Sequence, residues 1–205
     1  MILLKDSDLR DVGAKYNIEP AKLKAVTLVE SNGRGFYPEV IKKNSKEINH
    51  PYGNDLIVRF EGHWFRKFTK SKYDKQYPHL SYEDWKLGNK YNRGINEFGR
   101  FLEAFKLDNE AAWLSTSWGM FQVMGFNFKA CGYNSVKGMI IDFYERGEIA
   151  QLEAFLNYCE DKNILDDLRE GRNEVFARVY NGKGYKINKY DTKITQFTNQ
   201  YRGRV

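Results

Sequence analysis

The chain is poor in cysteine, proline and histidine, with two, four and three among 205 residues. Two cysteines, Cys131 and Cys159, exclude a disulfide framework, and neither stands in a Cys-x-x-Cys or comparable ligand spacing. Both fall in stretches that read as helical and are expected to be inert packing residues. His50, His63 and His79 show no metal spacing either, and no glycine-rich loop suited to cradling phosphate is present. No cofactor is therefore expected. Long apolar runs are also missing, so nothing is expected to insert stably in a membrane. The opening Met1-Ile-Leu-Leu meets Lys5, Asp6 and Asp8 at once, too short a run for a signal peptide. The expectation is synthesis in the cytoplasm, with a separate exit route if the substrate lies outside. With no repeat, low-complexity tract or linker, residues 1–205 are expected to form a single domain.

What is present fits a folded core: 41% hydrophobic and 16% aromatic residues, with 29% charged, argue against disorder. The formal charge of +6 is spread along the chain and suits a polyanionic partner, either nucleic acid or an anionic bacterial envelope. Two helices are expected over residues 6–16 and 20–31, the second with Pro20 in its first turn, before Asn32-Gly-Arg-Gly breaks the pattern. Residues 36–60 look extended and turn-rich, with His50-Pro-Tyr-Gly-Asn-Asp as a turn cluster, and a small hairpin or sheet is expected there. Helical spacing returns at 96–105, 136–144, 149–158 and 173–180, and Ile187, Tyr190, Ile194, Phe197 and Tyr201 form one apolar stripe. Lys186, Lys189 and Lys193 beside it read either as an envelope-binding strip or as a solvated helix face.

Three short segments carry possible chemistry. In the second helix Leu23, Val26 and Glu30 share a face, so Glu30 follows the side chains expected to reach the core. A carboxyl near a helix C-terminus in apolar company resists ionisation, because desolvation and the helix dipole both oppose the charge, and a raised pKa is what a general acid needs. Position alone favours a structural reading, in which Glu30 ends an amphipathic helix and pairs with Arg34. The second segment, Ser115 to Gly125, places Gly119 and Gln122 among aromatics. Gly119 permits a close approach by a ligand or another backbone, Gln122 is a neutral donor and acceptor suited to sugar groups, and Trp118 and Phe121 either stack on sugars or fill the core. The third, Tyr180-Asn181-Gly182, is by itself a helix stop.

In order, Glu30-Ser31, Gly119-Met-Phe-Gln122 and Tyr180-Asn181-Gly182 resemble the Glu-Ser, Gly-Leu-Met-Gln and Tyr-Asn-Gly motifs of soluble lytic transglycosylases and goose-type lysozymes. The chain more closely resembles phage endolysins of the N-acetylmuramidase domain family. The matching segments are Val29 to Phe36, Phe60-Glu-Gly-His-Trp-Phe65 and Ser117 to Gly125. The resemblance implies a mainly α, lysozyme-like α+β fold and cleavage of bacterial peptidoglycan by Glu30, with Gln122 and Tyr180 lining the sugar cleft. Ser31, His63, Ser117, Met120, Phe121 and Asn181 are the remaining expected substrate contacts. A monomer is expected of a single-domain lytic enzyme, and the missing export signal together with the resemblance implies that it stays in the host cytoplasm until a partner such as a phage holin lets it reach the wall.

The interval from Glu30 to Gly119 is much longer than in the transglycosylases and contains Glu61, the leading second carboxylate. On a strand, Arg59 and Glu61 share a face opposite Val58 and Phe60. Glu61 therefore either activates water in a hydrolase or is structural, paired with Arg59 or capping a helix that starts near Gly62. Without a second carboxylate, Glu30 serves as acid and then base while the sugar's own C6 hydroxyl attacks, giving an anhydro product. Two other classes stay open: a glycan-binding module without chemistry, and a basic nucleic-acid binder, although no nucleic-acid-binding signature is apparent.

Overall fold

The computed structural model describes residues 2–37, 55–91 and 96–205. Helix α1 (Asp6–Tyr16) and helix α2 (Pro20–Ser31) have the bounds their sequence signals predict. Pro20 fills the first position of α2, where no backbone N–H is needed, and Asn32 ends the helix in the left-handed region at φ 53°. Closing hydrogen bonds run from the Asn32 N–H to the Leu28 carbonyl and from the Gly33 N–H to the Thr27 carbonyl. Leu23 and Val26 are fully buried, so the face that carries Glu30 does turn inward.

Strand β1 (Val58–Phe60) leads into α3 (Gly62–Phe68), and the described residues of the polar stretch beyond hold a short 3-10 turn and the short α4 (Gly88–Tyr91). Then come α5 (Asn96–Leu107), α6 (Asn109–Leu114), β2 (Thr116–Trp118) and β3 (Val123–Met124). The helices α7 (Val136–Glu145), α8 (Glu148–Asp161), α9 (Leu165–Glu170), α10 (Asn173–Asn181) and α11 (Tyr190–Tyr201) complete the order. The fold is thus mainly helical with one small antiparallel sheet, as expected, but the strands of that sheet are not neighbours in the chain. Arg59 stands opposite Ser117, and Ser117 opposite Met124, so β2 is central and β1 joins the sheet through the Ser115 to Gly125 segment. Of the sheet expected within residues 36–60, the described residues supply β1 and the Phe36–Leu56 bridge, and residues 38–54, including His50, lie outside the described residues.

The core is strongly aromatic. Phe101 is flanked by Trp113 and Trp118, each with its ring centroid 5.0 Å away, and the Trp118 indole N–H donates to the Trp113 carbonyl. Trp118 is therefore a core residue. Two other expectations need correction. Cys131 lies in a turn, although it is buried and free like Cys159. Burial pushes the Cys131 thiol up to about 12, which fits an inert role. Ile187 precedes α11 and is 85% exposed, so the last apolar stripe begins at Tyr190. Lys186, Lys189 and Lys193 are all exposed, and α11 packs its other face along α2. Arg202 just beyond α11 holds Glu19, the residue before Pro20, through both carboxylate oxygens at 2.7 and 2.9 Å.

Candidate active site

Glu30 is the penultimate residue of α2, where the helix carbonyls point past it and oppose a negative charge. Its Oε1 is buried and has no hydrogen-bond partner among the described residues. Arg34 does not reach it. Burial alone pushes the Glu30 carboxyl up to about 8, so the protonated form prevails at neutral pH. Cys159 and Tyr180 are near enough for a charge on Glu30 to make their own ionisation harder.

Glu30 opens into a cavity of about 250 Å³ that it shares with Phe121, Gln122, Val123, Met124, Asn127, Tyr158, Tyr180 and Asn181. The three sequence segments singled out above thus converge on one space. Two of the polar side chains that share the cavity, Tyr180 and Gln122, are already committed elsewhere. The Tyr180 hydroxyl donates to the Phe121 carbonyl at 3.0 Å. The Gln122 amide N–H groups go to the carbonyls of Gly119 (2.9 Å) and Ile57 (3.3 Å), and its Oε1 accepts from the Ser117 hydroxyl at 3.0 Å. These bonds hold Gln122 at a positive φ of 47°, a conformation that costs a non-glycine residue free energy and persists because the side chain is tied on both sides. By contrast, the side chains of Asn127 and Asn181 make no hydrogen bond with the described residues and are free to meet a ligand. A larger, shallower groove of about 550 Å³ between residues 171–175 and 191–196 holds none of the motif residues.

The two walls of the cavity are registered by α8. Glu148 accepts from the N–H groups of Gly35 (2.7 Å) and Leu4 (2.9 Å), fixing the turn that follows α2. One helical turn on, Gln151 Oε1 accepts from the Met120 N–H at 2.7 Å, fixing the loop that carries Gln122. Gln151 fits between two glycines: a Cβ on Gly35 would stand 2.1 Å from its Oε1, and one on Gly119 2.5 Å. The close approach foreseen at Gly119 is therefore made by a protein side chain. Gly119 also has φ +71°. We expect Gly119→Ala to lose about 1–2 kcal/mol to the left-handed backbone alone, with a further loss as Gln151 is displaced. Thermal unfolding and kcat measured on the same variant check this, and kcat is expected to fall because Gln122 shifts with the loop.

Glu61 lies just past β1 on the face of the sheet that Arg59, Ser117 and Met124 share, the last of which lines the cavity. Val58 and Phe60 point the other way, into the core. The Glu61 carboxyl makes an ion pair with Arg59 at 2.9 Å, and its second oxygen lies 3.6 Å from His63 Nδ1. Burial raises its pKa, with Arg59 opposing, while burial lowers that of His63 and keeps the ring neutral. Glu61 takes the N-cap position of α3, but its side chain makes no capping bond.

The family model for N-acetylmuramidase matches residues 19–202. The chain belongs to the N-acetylmuramidase family. Among solved structures, the crystal structure of the Burkholderia AP3 phage endolysin superposes with a TM-score of 0.80 at 31% identity, covering 98% of this chain and 71% of that one. Short stretches also match the regulatory protein RecX of Vibrio campbellii (49% identical over 37 residues, 18% of this chain) and of Vibrio parahaemolyticus (40% over 55 residues, 27% of this chain). The chain spans only 24% and 32% of those two proteins, and such local matches carry neither fold nor site.

Within this muramidase fold, Glu30, Phe121, Gln122, Tyr180 and Asn181 meet at the cavity, and Ser117 is joined to it only by its hydrogen bond to Gln122. Met120 is fully buried and is not brought to the cavity. Phe121 is also mostly buried, stacked on Phe155 at 4.2 Å, and shows the cavity only part of its ring. The Ser31 hydroxyl accepts from the Arg34 N–H at 3.1 Å and shapes the turn, outside the cavity lining. Asn127, Met124 and Tyr158 were not identified from sequence, since each reads as an ordinary turn or helix residue. Among the described residues no cluster of three or more His, Cys, Asp or Glu is placed to hold a metal ion.

Proposed function

We propose that the chain is a peptidoglycan-cleaving endolysin that hydrolyses the β-1,4 bond between N-acetylmuramic acid and N-acetylglucosamine. The observation that carries this is the Glu30 carboxyl, its Oε1 buried without a partner and its pKa pushed up to about 8, at a cavity whose other polar walls are neutral amides and two tyrosines. In the proposed reaction Glu30 gives its proton to the O4 leaving oxygen of N-acetylglucosamine as the bond to C1 of N-acetylmuramic acid breaks. Glu61 takes a proton from a water whose oxygen bonds to C1 from the opposite ring face. Its place on the same sheet face as Met124 supports this role, and an inverting pair of carboxyls stands about 6.5–9.5 Å apart. Host lysis, action as a monomer and a single domain are part of the same proposal, as is release through a membrane lesion made by a partner such as a phage holin.

One observation favours a second reading. Glu61 is engaged by Arg59 and is not among the residues that line the cavity, so Glu30 could instead act alone and direct the C6 hydroxyl onto C1, as in lytic transglycosylases. Mass spectrometry of muropeptides released from purified sacculi separates the two. We expect ordinary reducing ends, and 1,6-anhydromuramic products would overturn the hydrolase. Binding to sacculi without loss of turbidity would instead indicate a non-catalytic glycan-binding protein.

A further inference from the structure

The cavity of about 250 Å³ equals about eight water volumes. That is room for one sugar residue, whereas a glycosidic bond joins two. On the function proposed above, the strand must continue over the neighbouring surface. On the sheet side of the cavity that surface is aromatic.

Trp64 lies in the first turn of α3, three residues after Glu61, and Phe126 lies in the 3-10 turn between Met124 and Asn127, both of which line the cavity. The Trp64 and Phe126 rings are 4.6 Å apart, and Phe68 lies behind them, 6.0 Å from Trp64 and 6.1 Å from Phe126. The Lys67 ammonium lies 4.5 Å from the Trp64 ring centroid. This cluster differs from the other aromatic groups of the protein. Phe101, Trp113 and Trp118 are buried and belong to the main core, whereas Trp64 and Phe126 are half-buried and neither belongs to that core nor packs against it. The indole N–H of Trp64 has no hydrogen-bond partner among the described residues and is not one of the buried unpartnered atoms, so it is open to a ligand from solvent. His63 joins the cluster to Glu61, with its ring 5.6 Å from Trp64 and its Nδ1 3.6 Å from the Glu61 carboxylate.

We propose that Trp64 and Phe126 form a sugar-stacking subsite that receives the apolar ring face of an N-acetylhexosamine next to the one held over Glu30. The C–H groups of a β-linked hexopyranose point to its two faces, so the ring can lie on an aromatic surface while its equatorial hydroxyls remain at the edge. The free indole N–H then donates to a hydroxyl or an acetamido oxygen of that sugar. This assignment makes α3 part of the strand-binding surface, with Glu61 and His63 between the aromatic ledge and the cavity.

The test uses the inactive Glu30→Gln protein labelled at all its nitrogens, so that indole and side-chain amide N–H signals are both seen. The four tryptophans give four N–H signals, and Trp64→Phe identifies the one from Trp64. The probes are soluble glycan strands stripped of stem peptides by an amidase, and the free stem peptide. We expect glycan strands to shift the Trp64 signal and stem peptide to leave it in place. In the active protein Trp64→Ala is expected to raise KM about tenfold with kcat changed less than about twofold, and Trp64→Phe to recover most of the loss. Strands that move the Gln122 amide but not the Trp64 indole would overturn the subsite alone, as would a shift given only by stem peptide. Sacculi left intact by the unmutated protein, together with no signal moved by glycan, would overturn the functional reading and the subsite with it.

Discussion

Glu30→Gln is expected to reduce turnover on purified sacculi by about a thousandfold or more while leaving the fold intact, because proton donation by a positioned acid contributes about 10²–10⁴ to rate. The amide keeps the size of the carboxyl but cannot deliver a proton. Its effect on stability should be opposite in sign to its effect on activity. Burial raises the Glu30 pKa from the ordinary 4.5 of a glutamate to about 8 in the folded protein, so the folded state holds a proton that the unfolded chain loses between those values. The carboxyl therefore costs stability progressively as pH rises from about 4.5 to about 8, and the cost then levels off. At about 1.4 kcal/mol for each tenfold change in proton affinity, the full cost is a few kcal/mol. Glu30→Gln should remove it, so denaturation at about pH 6 and about pH 9 is expected to show a variant that gains on the wild type as pH rises. Wild-type activity should in turn fall as pH passes about 8, when the acid loses its proton. Retention of most activity by Glu30→Gln would reject the assignment.

The second large effect is expected from Glu97→Ala, in a pair that sequence patterning did not single out. Glu97 and Arg100 are 3% and 8% exposed and pair at 3.1 Å under the end of β1. Glu97 Oε2 also accepts from the Phe60 N–H at 3.0 Å, and the Arg100 guanidinium donates to the carbonyls of Phe60 (3.4 Å) and His79 (2.7 Å). Truncating Glu97 removes the carboxylate paired with the buried Arg100 guanidinium and takes the acceptor from the Phe60 N–H, at a cost of about 3–5 kcal/mol. For a chain of this size that corresponds to a fall in Tm of about 10 °C. The double variant Glu97→Leu/Arg100→Met should lose less than Glu97→Ala, because it removes both charges together. A double variant that loses as much as the two single ones combined would show that the charges themselves hold β1. Since Glu61 follows β1 directly, activity is expected to fall with stability in Glu97→Ala.

How legible each feature was depended on the range of the interactions behind it. Helices α1 and α2 were readable with their bounds, because Pro20 and the Asn32-Gly33 stop act within one or two turns of the chain. The Leu23, Val26, Glu30 face was readable for the same reason: helical periodicity fixes which side chains travel together. The sheet was not. Strands β2 and β3 are three and two residues long, too short for an alternation to show, and β1 pairs with a segment far along the chain, Val58 standing opposite Trp118. Glu97, Glu148 and Gln151 escaped notice because a polar residue on a helix reads as surface unless its partner is known. Their partners are backbone N–H groups on distant segments, at Phe60, Gly35 and Met120. Trp118 drew attention and proved to be core, while the half-buried Trp64 drew none, since an aromatic residue in a motif looks the same whether it faces the core or solvent.

The sequence by itself determined the helical elements, the short motifs and their order, and a carboxyl placed on an inward helix face. It did so because caps, periodicity and spacing are local properties of the chain. Whether that carboxyl would hold its proton at neutral pH was decided only by tertiary structure. Tyr180 and Gln122 could have hydrogen-bonded Glu30 and kept it ionised, yet the fold commits them to the Phe121, Gly119 and Ile57 carbonyls and to Ser117. Among the described residues no side chain donates to Glu30, and desolvation then sets its pKa.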